Sequence, residues 1–342
     1  MFVEKTERGL RERGHEVKIF SPVSIPSMPF WGYPGERLVI PLGFSMLNVH
    51  KFKPDVIHTH TPFGVGWEAI YAATILGVPV VGTHHTFYDH YLKHVYLDFD
   101  ISKKMSWTYT VTYYNRCDFV TCPSSALAKS LSENGLYKPV EVVHNCVDTD
   151  IFVPTVRGNR KPSLVYMGRL SYEKSIDVVI KAFKIILDKL PDLRLSIVGD
   201  GPERASLEKL TVLLGIESKV NFLGVKRGAD LVRALQDNDI FLTASASENM
   251  PLSIIEAMAT GLPVIGVNAL GIPEIVRNGE NGFLVQPNSP DEMAKVTLKL
   301  LGDKVLLEKL GKGANSSAQN YSRGKVAEKL ETLYTKLINF KK

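Results

Sequence analysis

DIFLTASASENMPLSIIEAMATGLPVIGV, residues 239–267, is the stretch that decides the fold. It opens on a short apolar run, DIFLTAS (239–245), crosses a polar loop, and enters an apolar helical pattern near Pro251. A Gly-Leu-Pro turn then leads into a second apolar run, LPVIGV (262–267). Continuous Val/Ile runs, as opposed to alternating ones, belong to strands buried on both faces, as in a parallel sheet covered by helices. Strand, helix and strand in this order read as one βαβ unit.

The same alternation extends in both directions. Upstream strand candidates are VKIF (17–20), DVIHTH (55–60), VPVVGTH (78–84), DFVTCPS (118–124), VEVVHN (140–145), SLVYMG (163–168), LRLSIVGD (193–200) and KVNFLG (219–224). Helical patterns such as SIDVVIKAFKIILDKL and ERASLEKLTVLLG separate them. The expectation is an α/β protein of two doubly wound, Rossmann-like domains. Residues 151–162, rich in Pro, Gly and charge and without a period, read as the linker. The expected division is 1–152, 153–320, and a C-terminal helix, 321–342, packing back on the first domain. The chain opens in a helical stretch, EKTERGLRERGHE, that runs into VKIF. A doubly wound domain normally opens with a strand and a Gly-rich turn before that helix, so the first sheet is expected to lack its opening strand.

At 342 residues two domains are the natural division. The net charge of +5 is uneven. Residues 1–150 hold 14 Lys/Arg against 15 Asp/Glu, and the remainder 27 against 21. No basic face with a readable motif marks a nucleic-acid binder. Three cysteines, Cys117, Cys122 and Cys146, with no CxxC pair, suit neither a disulfide framework nor a structural zinc and fit a reducing cytoplasm. The charged N-terminal stretch carries no secretory signal. Glu68 and Pro79 interrupt the longest apolar stretch (64–82), which reads as helix, turn and strand and not as a membrane span.

Two constellations carry chemistry. In ENMPLSIIEAMATG, Pro251 suits the first turn of a helix. The amides of Met250, Leu252 and Ser253 would then form an anion-binding helix mouth. Glu248 precedes that mouth and Glu256 lies inside it. Carboxylates repel phosphate, so these two suit neutral hydroxyls, a sugar on one side and a ribose on the other. A capped helix with two incidental acids fits the spacing equally well. In GRLSYEKS (168–175), Gly168 ends a strand, and Arg169 and Lys174 hang at its carboxyl edge, where ligands of open α/β sheets bind. A guanidinium fork and an ammonium point charge together suit a diphosphate, and cations fixed on a leaving diphosphate favour its transition state. Two surface cations in a loop are the plain alternative. VGDGP (198–202) offers Gly199 for close backbone approach, and NFLG (221–224) offers backbone near Leu223 for a base.

ENMPLSIIEAMATG resembles the E-x(7)-E signature of family 4 glycosyltransferases, and GRLSYEK, VGDGP, VNFLG and GIPEIVRNGENGFLV occur there in the same order. The resemblance implies a GT-B fold, two domains facing a cleft, an NDP-hexose donor, retention at the anomeric carbon and no metal or other cofactor. It implies that Arg169 and Lys174 hold the diphosphate, Glu248 the sugar hydroxyls, Glu256 the ribose, and the backbone near Leu223 the base. Ser175 departs from the family, which usually has Gly after the Lys. From VPVVGTHHTFYDHY the resemblance picks His85 over His84 as the strand-end histidine near the donor sugar; a satisfied strand-end histidine is the plain reading. His84, His85, His90 and His94 invite a metal, but a third ligand at a telling spacing is missing.

The stretch 85–118 is similar to the acceptor side of diacylglycerol glucosyltransferases, and its aromatics beside Lys103 and Lys104 suit a membrane interface; a core helix with an aromatic face is the alternative. The expected partners are therefore a nucleotide sugar, UDP-glucose favoured, and a lipid or saccharide acceptor. The expected place is the cytoplasm or, peripherally, the inner face of the plasma membrane. A nucleotide-sugar epimerase or hydrolase on the same fold would need acid/base groups that the N-terminal half does not display. A non-catalytic binding protein is the reading that the missing opening strand would favour.

Overall fold

A computed structural model of the chain describes residues 2–22, 27–29, 37–39, 43, 45–87, 99–155 and 161–341. The chain forms two compact units, Met1–Asn145 together with Val326–Lys342, and Cys146–Lys325.

In the first unit the strands β1 (Ile57–Thr59), β2 (Val80–Thr83), β3 (Phe119–Cys122) and β4 (Val140–Val142) form a parallel sheet in chain order, 1-2-3-4. Its helices are α1 (Phe2–Glu12), α2 (Met46–Phe52), α3 (Gly64–Leu76), α4 (Asp100–Tyr114) and α5 (Ser125–Glu133). All four residues of β2 are buried, which is why that strand is a continuous apolar run. VKIF (17–20) is not a strand: its backbone joins no ladder. A strand exists only by pairing, and the described sheet places no neighbour beside this segment. Glu68, which breaks the apolar pattern of α3, is buried and accepts the Gly43 and Ser45 amides at 3.0 Å each, holding the turn that starts α2.

The second unit is doubly wound. Strands β5 (Ser163–Met167), β6 (Arg194–Val198), β7 (Val220–Gly224), β8 (Ile240–Leu242), β9 (Val264–Val267) and β10 (Gly282–Val285) lie in the parallel order 10-9-8-5-6-7. Helices α6 (Ile176–Leu187), α7 (Arg204–Leu213), α8 (Gly228–Gln236), α9 (Leu252–Ala259), α10 (Ile272–Ile275), α11 (Pro290–Gly302) and α12 (Lys304–Ala318) connect and cover it. The core is one cluster running from Val147 and β5 through α6 and α9 to Tyr321. In α9 every residue from Ile254 to Ala259 is buried, so this helix packs deep in the unit. The edge strand β10 was not among the strand candidates: GFLV is only four residues long and follows a run of Asn and Gly that reads as loop.

The last helix, α13 (Arg323–Lys341), belongs to both units in turn. At its start Arg323 pairs with Asp148, both side chains largely buried, and Val147 N donates to Tyr321 O at 2.9 Å. From Val326 onward it packs on the first unit. Lys329 donates to Val142 O (2.7 Å), Tyr334 meets His58, and Lys341 reaches Asp118 (3.0 Å) and Val78 O (2.9 Å). The three cysteines are buried and form no disulfide, and burial pushes the Cys117 thiol up to about 12, with Asp118 adding to the rise.

Candidate active site

In the second sheet the chain winds outward from β5 to β7 and returns to β8 on the other side of β5. The reversal opens a crevice at the carboxyl ends of β5 and β8, the switch point where ligands of doubly wound sheets bind. The two loops that leave those ends are Gly168–Ser175 and Thr243–Pro251.

These loops are fastened together. Lys174 Nζ lies 2.6 Å from Glu248 Oε1, with side chains 21% and 20% exposed. The Glu173 carbonyl accepts the hydroxyls of Ser245 (3.1 Å) and Ser247 (3.4 Å), and Ser171 Oγ donates to Glu173 Oε1 at 2.5 Å. Under the same loop Tyr166 is buried, and its hydroxyl donates to Arg169 O at 3.2 Å. Burial first, then the Glu248 and Glu173 carboxylates, push the Tyr166 pKa up, so it stays a neutral donor. Arg169 is exposed at the start of the loop. Lys174 ends a single 3-10 turn, and Ser175 follows at φ 49°, ψ 43°. This left-handed conformation favours glycine, which explains why Ser175 is unusual here.

The helix mouth is built differently in detail from the expectation. Pro251 stands at the N-cap of α9 (φ −72°, ψ 112°), one place before the first turn, and its own side chain makes no capping hydrogen bond. Met250 is buried, Leu252 and Ser253 are half-buried, and no acid stands in the first turn. Glu256 is buried one turn inside. The loop before the helix is fixed from behind: Gly271 N donates to Glu248 O at 3.1 Å, and a Cβ on Gly271 would meet Asn249 O at 1.6 Å.

Two further sequence sites have physical explanations. Gly199, at φ 136°, needs to be glycine because a Cβ there would lie 1.9 Å from Gly168 O. The close approach is thus between two loops of the protein. Leu223 falls at an irregularity in the ladder: Ile197 pairs with Phe222 and Val198 with Gly224, so Leu223 is left out. A bulge of this kind frees backbone groups and re-aims them, and bulges recur beside active sites. Arg169, Lys174, Glu248 and residues 250–256 therefore share one edge of the sheet, while Leu223 lies two strands away, at the end of β7.

His85 is in the first unit, two residues beyond β2. Its Nε2 lies 3.1 Å from His60 Nδ1. His58 reaches Tyr334 OH and Thr83 Oγ1, each at 2.5 Å. Burial lowers all four neighbouring imidazoles, His58 and His84 to about 3, His85 to about 4, and His60 likewise downward, so they are neutral at ordinary pH. His84 is fully buried and packs edge-on to Trp107 and Tyr114. His90 and His94 lie outside the described residues. Among the described residues no group of three His, Cys, Asp or Glu side chains is placed to hold a metal ion.

Sequence reading missed Ser245, Ser247 and Gly271, and also His58 and His60. The last two were legible in principle, since alternate histidines in DVIHTH share one strand face.

Two family models match the chain: Glycosyltransferase Family 4 over residues 2–151 and Glycosyl transferases group 1 over 148–317. The chain belongs to glycosyltransferase family 4. This glycosyltransferase has the GT-B fold. It is 28% identical to an alpha-monoglucosyldiacylglycerol synthase of Acholeplasma laidlawii, over 98% of this chain and 93% of that one. It is 29% identical to the sulfoquinovosyl transferase SQD2 of Arabidopsis thaliana, over 94% of this chain, but spans only 64% of that protein. Among solved structures, a sucrose-phosphate synthase of Thermosynechococcus elongatus superposes with a TM-score of 0.77 at 20% identity, covering 99% of this chain and 93% of that one. HepE of Anabaena, in complex with UDP, gives 0.73 at 22% identity, over 85% and 81%. At these identities the structural likeness speaks for the fold alone.

Proposed function

We propose that this glycosyltransferase moves glucose from UDP-glucose to a membrane lipid such as diacylglycerol, with retention at the anomeric carbon and without a metal. The observation that carries the donor side is the Lys174–Glu248 contact at the switch point, beside the start of α9. Arg169, Lys174 and the α9 amides take the diphosphate. Glu248 and Glu256 take neutral hydroxyls of the sugar and the ribose, and the freed backbone at Leu223 takes the base. As the bond from the anomeric carbon to the phosphate oxygen breaks, negative charge grows on the leaving UDP, and the fixed cations hold it. The acceptor hydroxyl forms the new bond on the same face and passes its proton to the departing phosphate oxygen. His85, neutral, orients a hydroxyl by hydrogen bonding and carries no charge in this scheme.

The lipid acceptor draws support from α4. Ile101, Met105 and Tyr109 recur at helical spacing and are 70%, 67% and 41% exposed. Phe63 stacks on Tyr109 at 6.0 Å, and Lys104 is exposed beside them. An apolar stripe with an aromatic and a cation suits peripheral contact with a bilayer, here the inner face of the plasma membrane. No helix among the described residues is long and apolar enough to cross one. Labelled UDP-glucose with diacylglycerol in mixed micelles tests the reading. Label in the lipid phase, undiminished by EDTA and with the α-anomer retained, is expected; free glucose or epimerised nucleotide sugar alone would contradict it.

A further inference from the structure

His60 and His85 stand at the ends of neighbouring parallel strands, β1 and β2, and their rings lie 27° apart in plane with centroids at 5.3 Å. His60 is clamped. On one side is the His58 ring, at 4.2 Å, which Tyr334 and Thr83 hold by its two nitrogens. Phe2 stands edge-on to both His60 (5.7 Å) and His85 (5.0 Å). The close contact is nitrogen to nitrogen, His60 Nδ1 to His85 Nε2 at 3.1 Å. Each neutral ring carries one N–H, so this contact holds one proton: one nitrogen donates and the other accepts.

We infer that His60 is a positioning residue for His85, fixing its ring orientation and, through the shared proton, which of its nitrogens is protonated. When His60 donates, His85 carries its own hydrogen on Nδ1. When His60 accepts, His85 Nδ1 bears the lone pair. His60 thereby decides whether His85 offers a donor or an acceptor to a hydroxyl. The role in turnover rests on the reading that His85 meets the reacting sugar; the tautomer does not.

The test uses the full-length enzyme and two variants. His60→Phe keeps a ring and removes Nδ1, whereas His60→Asn places an amide near the same position. Ring ¹⁵N shifts of His85 report its tautomer independently of activity. Expected are a changed tautomer signature in His60→Phe, a wild-type-like one in His60→Asn, and glucose transfer reduced about tenfold or more in kcat only for the Phe variant. UDP affinity by calorimetry should stay within about twofold in both, because the diphosphate residues lie in the other unit. An unchanged His85 signature in His60→Phe overturns the inference. So does a His85 signature that shifts equally in the Phe and Asn variants. If His85→Ala transfers glucose at the wild-type rate while the His85 signature still follows residue 60, the positioning stands and the role assigned to His85 falls.

Discussion

Replacing Lys174 by Met separates chemistry from structure at the switch point. Lys174 and Glu248 are 2.6 Å apart and about four-fifths buried. At an effective dielectric near 20 the bare attraction is several kcal/mol, and desolvation of both groups offsets most of it. Removing only the cation leaves Glu248 largely buried without this partner, which should cost about 1–3 kcal/mol of stability. Adding Glu248→Gln removes the orphaned charge, so the double variant should recover about 1 kcal/mol or more of that loss. Turnover should behave differently. A cation acting on the leaving diphosphate is worth about 10²–10³ in kcat, and the double variant should not regain it. Denaturant unfolding reads the first effect and initial rates with labelled UDP-glucose the second. If Lys174→Met keeps kcat within about threefold of wild type, or if the double variant restores it, Lys174 is a structural partner of Glu248 and the leaving-group role is wrong.

Other outcomes follow from single residues. Ser175→Gly relieves a left-handed serine and should raise stability by about 1 kcal/mol, read as a higher unfolding midpoint; no change would mean that the turn is unstrained. Glu256→Ala should weaken UDP binding by about tenfold in calorimetry, since the ribose loses its acceptor; unchanged affinity removes that assignment. His58, His84 and His85 are held to about 3, 3 and 4 in the fold, below the ordinary histidine value of 6.5. The unfolded chain therefore binds more protons between those values, so stability is full above about pH 6.5 and falls on acidification by up to about 1.4 kcal/mol per pH unit per ring. A melting temperature that is flat from pH 7 to pH 5 would contradict the neutral cluster.

Much of this molecule could be read along the chain. The βαβ unit at 239–267 is local, so its apolar runs and Gly-Leu-Pro turn declare strand, helix and strand. VKIF misled because an apolar run states readiness to pair and says nothing of whether a neighbour stands beside it. Gly282–Val285 escaped because so short an apolar run, set directly after NGEN, reads as part of the loop. Arg169, Lys174, Glu248 and Glu256 were visible as types in a pattern, but the Lys174–Glu248 contact joins residues 74 apart in sequence. The strain at Ser175 is a backbone angle, which no residue name carries. His60 was hidden for a related reason: its partner sits on another strand, and only the register of β1 on β2 brings the two rings together.

A crystal of the enzyme soaked with UDP-glucose examines the donor site most directly. The diphosphate should lie at the carboxyl ends of β5 and β8, with oxygens about 3 Å from Lys174 Nζ and from the Leu252 and Ser253 amides. A diphosphate bound away from that edge, or lying there while Lys174 stays on Glu248 and Arg169 points off, would contradict the reading of this crevice as the sugar-nucleotide site.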